Sequence, residues 1–445
     1  MRSATPKVLH TLAGRTMLAH VLTAAEQLVP EHLLVVVGHA REQVTATLGG
    51  SARAVVQQTQ DGTGHAVRVA LDGLEHLEGT VVVVLGDTPL LTAATLRRLV
   101  DAHEQAGAAT TLLAARVADP LGYGRVVRDA SGAVTAVVEH KDADEAARRI
   151  DEIATGVYAF SAGPLREALS QLSPDNVQGE LYLTDVVGLQ HVAGLVVSAE
   201  VAADADETRG INDRAQLAEL ATLLRDRLVR THQLAGVAFL DPRTAWVDVD
   251  VQLEPDSTIG AGVQLHGRTV VRRGAVVGPD TTLTDCEVGE GASVVRSHCT
   301  GAVIGPAATV GPFSYLRPGT VLGRGAKAGA FVEIKASTVG DGSKVPHLSY
   351  VGDATIGEHS NIGAGTIVVN YDGVAKHRTS IGDGVRVGSN NSLVAPVELG
   401  DRAYTGADAV IRKDVPADAL AYSENTQHVL EQWAQRKLNQ GEHPT

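Results

Sequence analysis

Apolar residues recur every six positions between about Val251 and Ile411, and this period constrains the fold more than any other feature. It matches neither a single helix nor a single hairpin, but it is the repeat of a parallel β-helix, in which three hexapeptides complete a coil. One apolar residue of each hexapeptide points inward, and a glycine often follows it where a Cβ would crowd the turn. The clearest run of inward-facing residues is Ile304, Val310, Leu316, Leu322, Ala328 and Ile334.

Two cations occupy the position that glycine holds in neighbouring hexapeptides. Arg317 and Lys335 are eighteen residues apart, which is one full coil. They should therefore stack at about one strand spacing, roughly 5 Å. Adjacent cations repel each other unless an anion lies between them, so the pair indicates a phosphate-binding site. The alternative is a pair of solvated surface charges.

Composition limits the function classes and the compartment. The chain has 445 residues, enough for two or three domains, and a net charge of −14, which argues against nonspecific nucleic-acid binding. Cys286 and Cys299 are too few for a disulfide framework and fit a reducing compartment. The sequence shows neither a signal peptide nor an apolar stretch of membrane-spanning length. We therefore expect a cytoplasmic protein without a nucleic-acid partner or membrane insertion.

Residues 1–212 show a different pattern. The short β-branched runs Leu33–Gly38 and Val81–Leu85 predict parallel strands buried on both faces. Helical patterns over Thr16–Leu28 and Ala93–Gln105 alternate with them. This alternation is typical of a doubly wound, Rossmann-like α/β domain.

The rest of the chain divides into three predicted parts: a linker helix over 213–235, a β-helix over 236–415 and a tail over 416–445. Asp213 is a candidate N-cap of the linker helix, which carries leucines on one face. An irregular insertion around Asn370–Thr379 interrupts the β-helix, and the polar tail has a possible short helix near Val429–Lys437.

The beginning of the chain is unusual for a nucleotide-binding α/β domain. Such a domain normally opens with a strand followed by a Gly-rich loop. Here the first credible strand begins only at Leu33. We expect either a differently built sheet or a domain without its opening segment.

Several polar residues of this domain are candidate ligands. Asp87 follows a predicted strand, and Asn212 precedes the linker helix; together they could hold magnesium with water in its other positions. A helix cap and a turn residue are the alternatives. The loop Gln60–Ala66 could present backbone amides to a phosphate or base, or be an ordinary turn. Lys7 could contact a phosphate or simply be solvated.

In the β-helix, His347 lies twelve residues beyond Lys335, and we expect it in the next coil, close to the cation pair. With Glu333 and Tyr350 nearby it is a candidate general base, whereas an isolated histidine is more often structural. The insertion Asn370–Gly373 breaks the repeat, and such insertions often line a binding site.

Ordered motifs carry a family resemblance. TPKVLH, GTGHA, GYGR, VEHKDA, ELYLTD and GIND in the first half, with FVEIK, HLSYVGDATIG, NIGAGTI and NYDG in the second, closely resemble the bacterial bifunctional N-acetylglucosamine-1-phosphate uridyltransferase/glucosamine-1-phosphate acetyltransferases. The resemblance extends to about residue 423. It implies an α/β nucleotidyltransferase domain, truncated at its N-terminus, followed by a left-handed parallel β-helix in a homotrimer.

The resemblance also implies two reactions. The β-helix would acetylate the amine of glucosamine 1-phosphate with acetyl-CoA. The α/β domain would then join N-acetylglucosamine 1-phosphate to UTP with the help of Mg²⁺, releasing pyrophosphate and giving UDP-N-acetylglucosamine.

Site residues follow from the matching motifs. His347 would take the proton as the amine attacks the thioester, and Glu333 could orient it. The residues implied to bind the sugar phosphate are Arg317, Lys335, Tyr350 and Asn361. Those implied to line the acetyl-CoA site are Ala364, Asn370, Tyr371, Ser389 and Ala407.

In the first domain the resemblance assigns magnesium to Asp87 and Asn212. The residues implied to contact the nucleotide base are Gln57, Gly62 and Thr63. Those implied to contact the sugar nucleotide are Gly86, Gly124 and Glu139, and Lys7 is the candidate phosphate contact.

Three departures from the family pattern carry expectations. The family has a strand and a Gly-rich nucleotide loop before the position of Met1, so we expect weak or absent uridylyl transfer. Ala154 stands where an asparagine is usual, which removes a hydrogen bond worth about 1 kcal/mol. Glu424 stands where the family can have a cation near CoA, and Arg412 or Lys413 would replace it.

Three other functions compete with this interpretation. One is a single-activity nucleotidyltransferase with a non-catalytic β-helix. Another is a metal-dependent hydratase, which His347, His359 and His377 disfavour because they lack a consistent eighteen-residue spacing. The third is a purely structural solenoid.

Overall fold

The computed structural model describes residues 1–74, 76–424 and 426–439. The chain divides into two compact units, Met1–Arg225 and Asp226–Thr445. In the described residues the α-helices are α1 Met17–Glu26, α2 Arg41–Thr45, α3 Thr63–Asp72, α4 Ala93–Ala106, α5 Glu145–Arg148, α6 Ala162–Ser170, α7 Asp185–Val192, α8 Arg214–Leu234 and α9 Trp433–Asn439. Short 3-10 helices lie at Lys7–Leu9 and Ala205–Thr208.

The first unit is an α/β domain. Its described strands are β1 Thr11–Leu12, β2 Arg15–Thr16, β3 Leu34–Val37, β4 Arg53–Val56, β5 Thr80–Val83, β6 Thr110–Arg116, β7 Gly124–Arg128, β8 Val134–Val138, β9 Glu152–Ser161 and β10 Val197–Val201. The predicted helices over Thr16–Leu28 and Ala93–Gln105 are confirmed as α1 and α4. Thr16 and Thr92 cap them by accepting hydrogen bonds from Ala19 N and Thr95 N.

The sheet is mixed rather than wholly parallel. Its path runs β10-β6-β9-β7-β8, and β5 also pairs with β9. The long strand β9 is antiparallel to β5, β6 and β7, so the prediction of a parallel strand at Val81–Leu85 is wrong. The run at Leu33–Gly38 does form a parallel strand, β3, which pairs with β4 in a separate sheet. Both strands are mostly half-buried, not fully buried, because a cavity separates them.

The second unit is a β-helix of three parallel sheets, here called the first, second and third faces. The first face comprises Ala238–Phe239, Thr258–Ile259, Val276–Val277, Ser293–Val294, Thr309–Val310, Lys327–Ala330, Lys344–His347, Asn361–Ile362, Arg386–Val387, Tyr404–Thr405 and Leu420–Ala421. The second face comprises Trp246–Val247, Gln264–His266, Thr282–Thr284, His298–Thr300, Tyr315–Leu316, Glu333–Lys335, Tyr350–Gly352, Ile367–Val369, Ser392–Val394 and Val410–Ile411. The third face comprises Gln252–Leu253, Val270–Val271, Glu287–Val288, Val303–Ile304, Val321–Leu322, Thr338–Val339, Ala354–Ile356, Thr379–Ile381 and Val397–Leu399.

The interior of the β-helix confirms the six-residue period. All six residues of the clearest run, from Ile304 to Ile334, are at most 3% exposed and belong to one apolar core. A Cβ on Gly305 would lie 2.6 Å from the carbonyl oxygen of Leu322 in the next coil, which explains the glycine there. One hydrophobic residue per hexapeptide therefore builds a continuous core along the solenoid.

The regions flanking the regular coils agree in part with expectation. Asp213 Oδ1 accepts from Gln216 N at 2.8 Å and caps α8, as predicted. The strand Leu420–Ala421 extends the first face beyond the predicted end at residue 415. A helix lies at Trp433–Asn439, shifted from the predicted 429–437, and residues 440–445 of the predicted tail lie outside the described residues. Among the described helices, none has the length and apolarity required to span a membrane.

Candidate functional site

The residues predicted for acetyl transfer lie along two edges of the β-helix. The first edge is the corner where the chain passes from the first face to the second, just after strands such as Lys344–His347. The second edge is the corner between the second and third faces, at the end of strands such as Glu333–Lys335.

The second edge carries the stacked cations. Tyr315 pairs with Glu333 and Leu316 with Ile334, so the backbone register places Arg317 beside Lys335 and confirms the predicted stacking. Arg317 Nη1 lies 2.9 Å from Glu333 Oε1. Lys335 Nζ lies 3.0 Å from an oxygen of Asp353, which was not among the predicted site residues. Carboxylates of the same edge therefore offset the repulsion between the two cations.

The insertion after Val369 approaches the same edge. Asn370 Nδ2 donates to Asp353 Oδ2 at 2.6 Å and lies 3.4 Å from the hydroxyl of Tyr350. The insertion lengthens its coil to twenty-five residues, from Ala354 to Thr379. The irregular insertion is thus confirmed, and it brings a further side chain, Lys376, towards Lys335.

The charged side chains at the second edge shift one another's pKa values. The hydrogen bond to Asp353 raises the pKa of Lys335. Burial would raise the pKa of Asp353, but hydrogen bonds from Lys335 and Asn370 hold that pKa below its usual value. The ammonium of Lys335 lowers the pKa of Lys376. Arg317, Lys335 and Lys376 therefore form a cation cluster that an approaching phosphate dianion would stabilise.

His347 does not lie beside this cation cluster, contrary to expectation. It ends a strand of the first face and pairs with Ala330, which places it on the first edge. Its side chain is exposed. Twelve residues are two-thirds of a coil, so a residue that far beyond Lys335 falls on a different edge of the prism.

Residues matched to the acetyl-CoA site continue the first edge beyond His347. Gly365 N donates to His347 O at 3.3 Å, which brings the next corner alongside the histidine. Asn390 N donates to Ala364 O, and Asp408 N donates to Ser389 O. These corner bonds align one row along the first edge, which consists of His347, Ala364, Ser389 and Ala407. Each residue of the row is about one coil further along the sequence than the one before it, and the stacking of the coils brings them together.

The other predicted side chains divide between the two edges. Asn361 belongs to the first face, in line with Lys344 and Arg386, and is separate from Tyr350 on the second face. Glu333 bonds Arg317, so the expectation that it orients His347 is not met within one chain. Tyr371, in the insertion, is 55% exposed.

In the first unit, Lys7, Asp87 and Asn212 converge. Lys7 Nζ lies 2.5 Å from Asp87 Oδ2 and 2.6 Å from Asn212 Oδ1. The Gly210 backbone also lies beside Asp87. The two oxygens predicted to bind metal thus both contact the ammonium of Lys7, so they lie close enough together to share one cation.

This arrangement fits a magnesium ion. Two hard oxygen donors that can share one cation suit Mg²⁺, which keeps several waters and binds few protein ligands. Among the described residues, no group of three or more carboxylate, histidine or cysteine ligands forms an alternative metal centre. Asp87 and Asn212 would hold the ion, and when bound it would neutralise phosphate charge.

The N-terminus of α3 gathers the residues matched to the nucleotide base. Gln57 Nε2 donates to Gly62 O at 3.2 Å, and Leu183 N donates to Thr63 Oγ1 at 3.0 Å. Gly62 has φ +108°, and a Cβ there would lie 2.6 Å from Leu181 O. Only glycine fits this turn at the N-terminus of α3, where the Gly64 amide donates to Leu181 O at 2.8 Å.

A second group lines the opposite wall. Glu139 Oε1 accepts from Thr184 Oγ1 at 3.1 Å, and burial raises the pKa of Glu139 despite that bond. A Cβ on Gly124 would lie 3.7 Å from Glu139, so the two matched residues are adjacent. Ala154, expected to stand where the family usually has asparagine, is buried next to Gly124.

Several of these residues line one cavity of about 1130 Å³ that runs between β3 and β5, whereas Lys7, Gln57 and Gly62 lie outside its lining. Gly86, Asp87, Gly124, Glu139 and Asn212 line its polar end. Valines of β3 and β5 line the remainder, with α1 and α3 on its two sides. The cavity therefore brings together part of the predicted ligand set and has room for a nucleotide sugar; the members that line it are Thr63, Gly86, Asp87, Gly124, Glu139 and Asn212.

Comparison with known proteins gives concordant results. Residues 1–156 match the family model of the MobA-like NTP transferase domain. The chain is 56% identical to the bifunctional protein GlmU of Kineococcus radiotolerans, covering 98% of this chain and 90% of that protein. The corresponding protein of Streptomyces coelicolor is 54% identical, with 98% and 92% covered. That of Corynebacterium glutamicum is 51% identical, with 98% and 92% covered.

Proposed function

The chain belongs to the family of bifunctional GlmU proteins, and from this relationship we propose that it performs both reactions implied by its motifs. It acetylates the amine of glucosamine 1-phosphate with acetyl-CoA, and it joins N-acetylglucosamine 1-phosphate to UTP with Mg²⁺. The fold is accordingly an α/β nucleotidyltransferase domain followed by a left-handed parallel β-helix. The cation cluster on the second edge is the observation that carries the proposal for acetyl transfer.

The cation cluster supplies the sugar-phosphate subsite. Arg317 presents a planar fork of donors, and Lys335 and Lys376 add two ammonium charges. Tyr350 extends over the same face towards Asn370 and supplies a hydroxyl for the sugar ring. Binding the phosphate here fixes the position of the amine that must react.

His347 supplies the proton acceptor. A protonated amine has no lone pair to donate, so a base must remove the proton as the nitrogen attacks the thioester carbonyl. The thiolate of coenzyme A then leaves and takes up a proton. The exposed imidazole of His347 is at the head of the row Ala364, Ser389 and Ala407, which would lie along the thioester-bearing substrate.

The two edges meet only if two chains contribute to one site, and we therefore propose a homotrimer. Within one chain, the base is on the first edge and the cation cluster on the second. In a closed ring of three chains, the first edge of one chain can face the second edge of its neighbour.

Exposed apolar residues on the first edge support this assembly. Phe313, Phe331 and Leu348 are 54%, 57% and 62% exposed, and their rings or side chains follow one another at successive corners. Phe313 and Phe331 stack with their centroids 5.3 Å apart. All three have φ between +49° and +60°, a strained backbone conformation for bulky residues. A strained, exposed apolar row beside His347 favours contact with another copy of the chain.

In the first unit, Asp87 and Asn212 would hold magnesium against the phosphates of UTP. Gln57, Gly62 and Thr63 would bind the base, while Gly124 and Glu139 would bind the sugar. The buried free cysteines Cys286 and Cys299 are consistent with the proposed cytoplasmic location.

Acetyl transfer is tested by release of thiol from acetyl-CoA. We expect release that depends on glucosamine 1-phosphate and is absent with N-acetylglucosamine 1-phosphate, whose amine is already blocked. Thiol release that is equal with the two sugars would exclude this acceptor. Pyrophosphate release from UTP without any acetylation would instead favour a single-activity nucleotidyltransferase with a non-catalytic β-helix.

We further propose that uridylyl transfer is weak in this 445-residue chain. In the described residues β5 pairs only with β9, and its other side faces the apolar cavity, so the segment leading to Asp87 is held from one side. We expect pyrophosphate formation to be slower than for the Kineococcus relative assayed alongside, because Asp87 follows a strand that is paired on one side in the described residues. Asp87→Asn should remove the remainder. Turnover equal to that of the relative would contradict this proposal.

A further inference from the structure

Asp353 is the most connected side chain of the second edge, and no assigned role accounts for it. Its carboxylate lies 3.0 and 3.1 Å from Lys335 Nζ and accepts a third bond from Asn370 Nδ2 at 2.6 Å. The side chain is only 15% exposed. Its backbone nitrogen also donates to Lys335 O at 3.0 Å, which fixes the corner from which the carboxylate extends.

The bonds of Asp353 join two segments that differ in kind. Lys335 belongs to the regular second face, where its position follows from coil register. Asn370 opens the insertion, whose ends are tied together by the bond from His377 N to Asn370 O at 2.9 Å. Among the described residues, Asp353 is the carboxylate that connects the phosphate-binding lysine to this insertion.

The negative charge of Asp353 also stabilises the approach of the insertion to the second edge. Lys376 comes from the insertion and lies close enough to Lys335 for the ammonium of Lys335 to lower the pKa of Lys376. Two neighbouring ammonium groups repel each other, and this repulsion would push the insertion away from the second edge. The negative charge of Asp353 acts on both and offsets that repulsion.

We propose that Asp353 is a positioning residue that docks the insertion 370–378 onto the second edge and thereby assembles the sugar-phosphate subsite. Asp353 does not touch the substrate; it acts by holding Lys335 in place and Lys376 within reach of the phosphate. Because Asn370 and Tyr371 match the acetyl-CoA lining, the same bond links the two substrate subsites. The inference deepens the proposed acetyl transfer and rests on it.

If Asp353 acted only through its negative charge, its removal would have the opposite effect on the affinity for the sugar phosphate. If Asp353 were only a carboxylate near the phosphate, its removal would lessen repulsion and tighten sugar-phosphate binding. If it is a positioning residue, its removal frees the insertion and weakens binding. The direction of the change therefore separates the two roles.

The test is Asp353→Asn, which keeps the shape of the side chain and removes its charge. Asp353 has φ +52°, a conformation that asparagine tolerates well, so the variant should fold. We expect the KM for glucosamine 1-phosphate to rise about tenfold, as for loss of a hydrogen bond to a charged group, with kcat changed less than about twofold. The calorimetric Kd for glucosamine 1-phosphate should rise by the same factor, and the KM for acetyl-CoA should also rise.

Asp418→Asn is the matched control. Asp418 is likewise a corner aspartate with φ +61°, and it pairs with Arg402 at 2.7 Å, away from the insertion. Its replacement removes one carboxylate–cation pair and should leave both KM values unchanged. Equal increases of KM in the two variants would show a general effect of lost charge pairs and overturn the proposal.

A double-mutant cycle with Lys376→Met identifies the route of the effect. If Asp353 acts through docking of Lys376, Asp353→Asn should raise the KM much less in the Lys376→Met background than in the wild type. Fully additive effects would contradict that route. An unchanged or lower KM and Kd in Asp353→Asn would overturn the inference while leaving acetyl transfer intact. A wild-type chain that neither turns over nor binds glucosamine 1-phosphate would instead overturn the proposed function, and the inference with it.

Discussion

Replacing His347 with asparagine is expected to lower kcat for acetyl transfer by about 10²–10⁴-fold, the range typical of a lost general base. Asparagine keeps a polar side chain of similar size but cannot accept a proton from an ammonium. Because the imidazole is exposed and ends its strand, the fold and the assembly should persist. Steady-state thiol release at saturating substrates measures the effect, and size-exclusion chromatography with light scattering confirms the assembly.

His359→Asn is the control for this variant. His359 is also exposed, but it lies at the corner between the third and first faces and has φ +53°, which asparagine accepts. Its replacement should leave kcat unchanged. If His347→Asn kept more than about a tenth of wild-type kcat, where loss of a base removes at least a hundredfold, His347 would not be the base.

The β-helix could be predicted from sequence because its determinants are local and periodic. Each coil buries one apolar residue per hexapeptide, so the positions of Leu316 and Ile334 predict both the strands and the register in which they pair. The same register brought Arg317 beside Lys335. Residues that are one coil apart stack because the strands of successive coils pair with each other, and this pairing does not depend on the rest of the chain.

The expected position of His347 beside the cation pair was wrong for a geometric reason. A spacing of two hexapeptides moves a residue to another edge of the β-helix. A residue twelve positions beyond Lys335 therefore does not lie beside Lys335 in the next coil. Coils also vary in length: sixteen residues separate Thr282 from His298, and twenty-five separate Ala354 from Thr379. Only the full set of pairings shows which edge a residue occupies.

Asp353 and Lys376 were missed for different reasons. Asp353 directly follows Gly352, which pairs with Lys335 one coil earlier, so the register that stacked the cations could have revealed its carboxylate. Lys376 lies in the insertion, where the repeat is interrupted and no periodic signal remains. Its approach to Lys335 depends on contacts of the folded insertion.

In the first unit, helices were more predictable than strand direction. Helical periodicity and the threonine caps define α1 and α4 locally. The direction of β5 depends on its pairing with β9, which begins almost seventy residues later in the chain. Local apolarity cannot distinguish a parallel from an antiparallel neighbour. The convergence of Asp87 and Asn212 was nevertheless foreseen from their places next to regular elements.

The proposed division of the acetyl-transfer site between the edges of two chains has a large expected consequence for mixed trimers. A Lys335→Ala chain retains the first edge, and a His347→Asn chain retains the second. Neither homotrimer has an intact site. When the two chains assemble in one trimer, however, one interface joins the intact first edge to the intact second edge.

The most direct test is acetyl transfer by trimers co-expressed from equal amounts of Lys335→Ala and His347→Asn chains carrying different affinity tags. Random assembly makes about three-quarters of the trimers mixed, each with one intact site of three, so the account predicts about a quarter of wild-type activity. Each variant expressed alone should show almost none. Mixed trimers no more active than the separate variants would contradict a site shared between neighbouring chains.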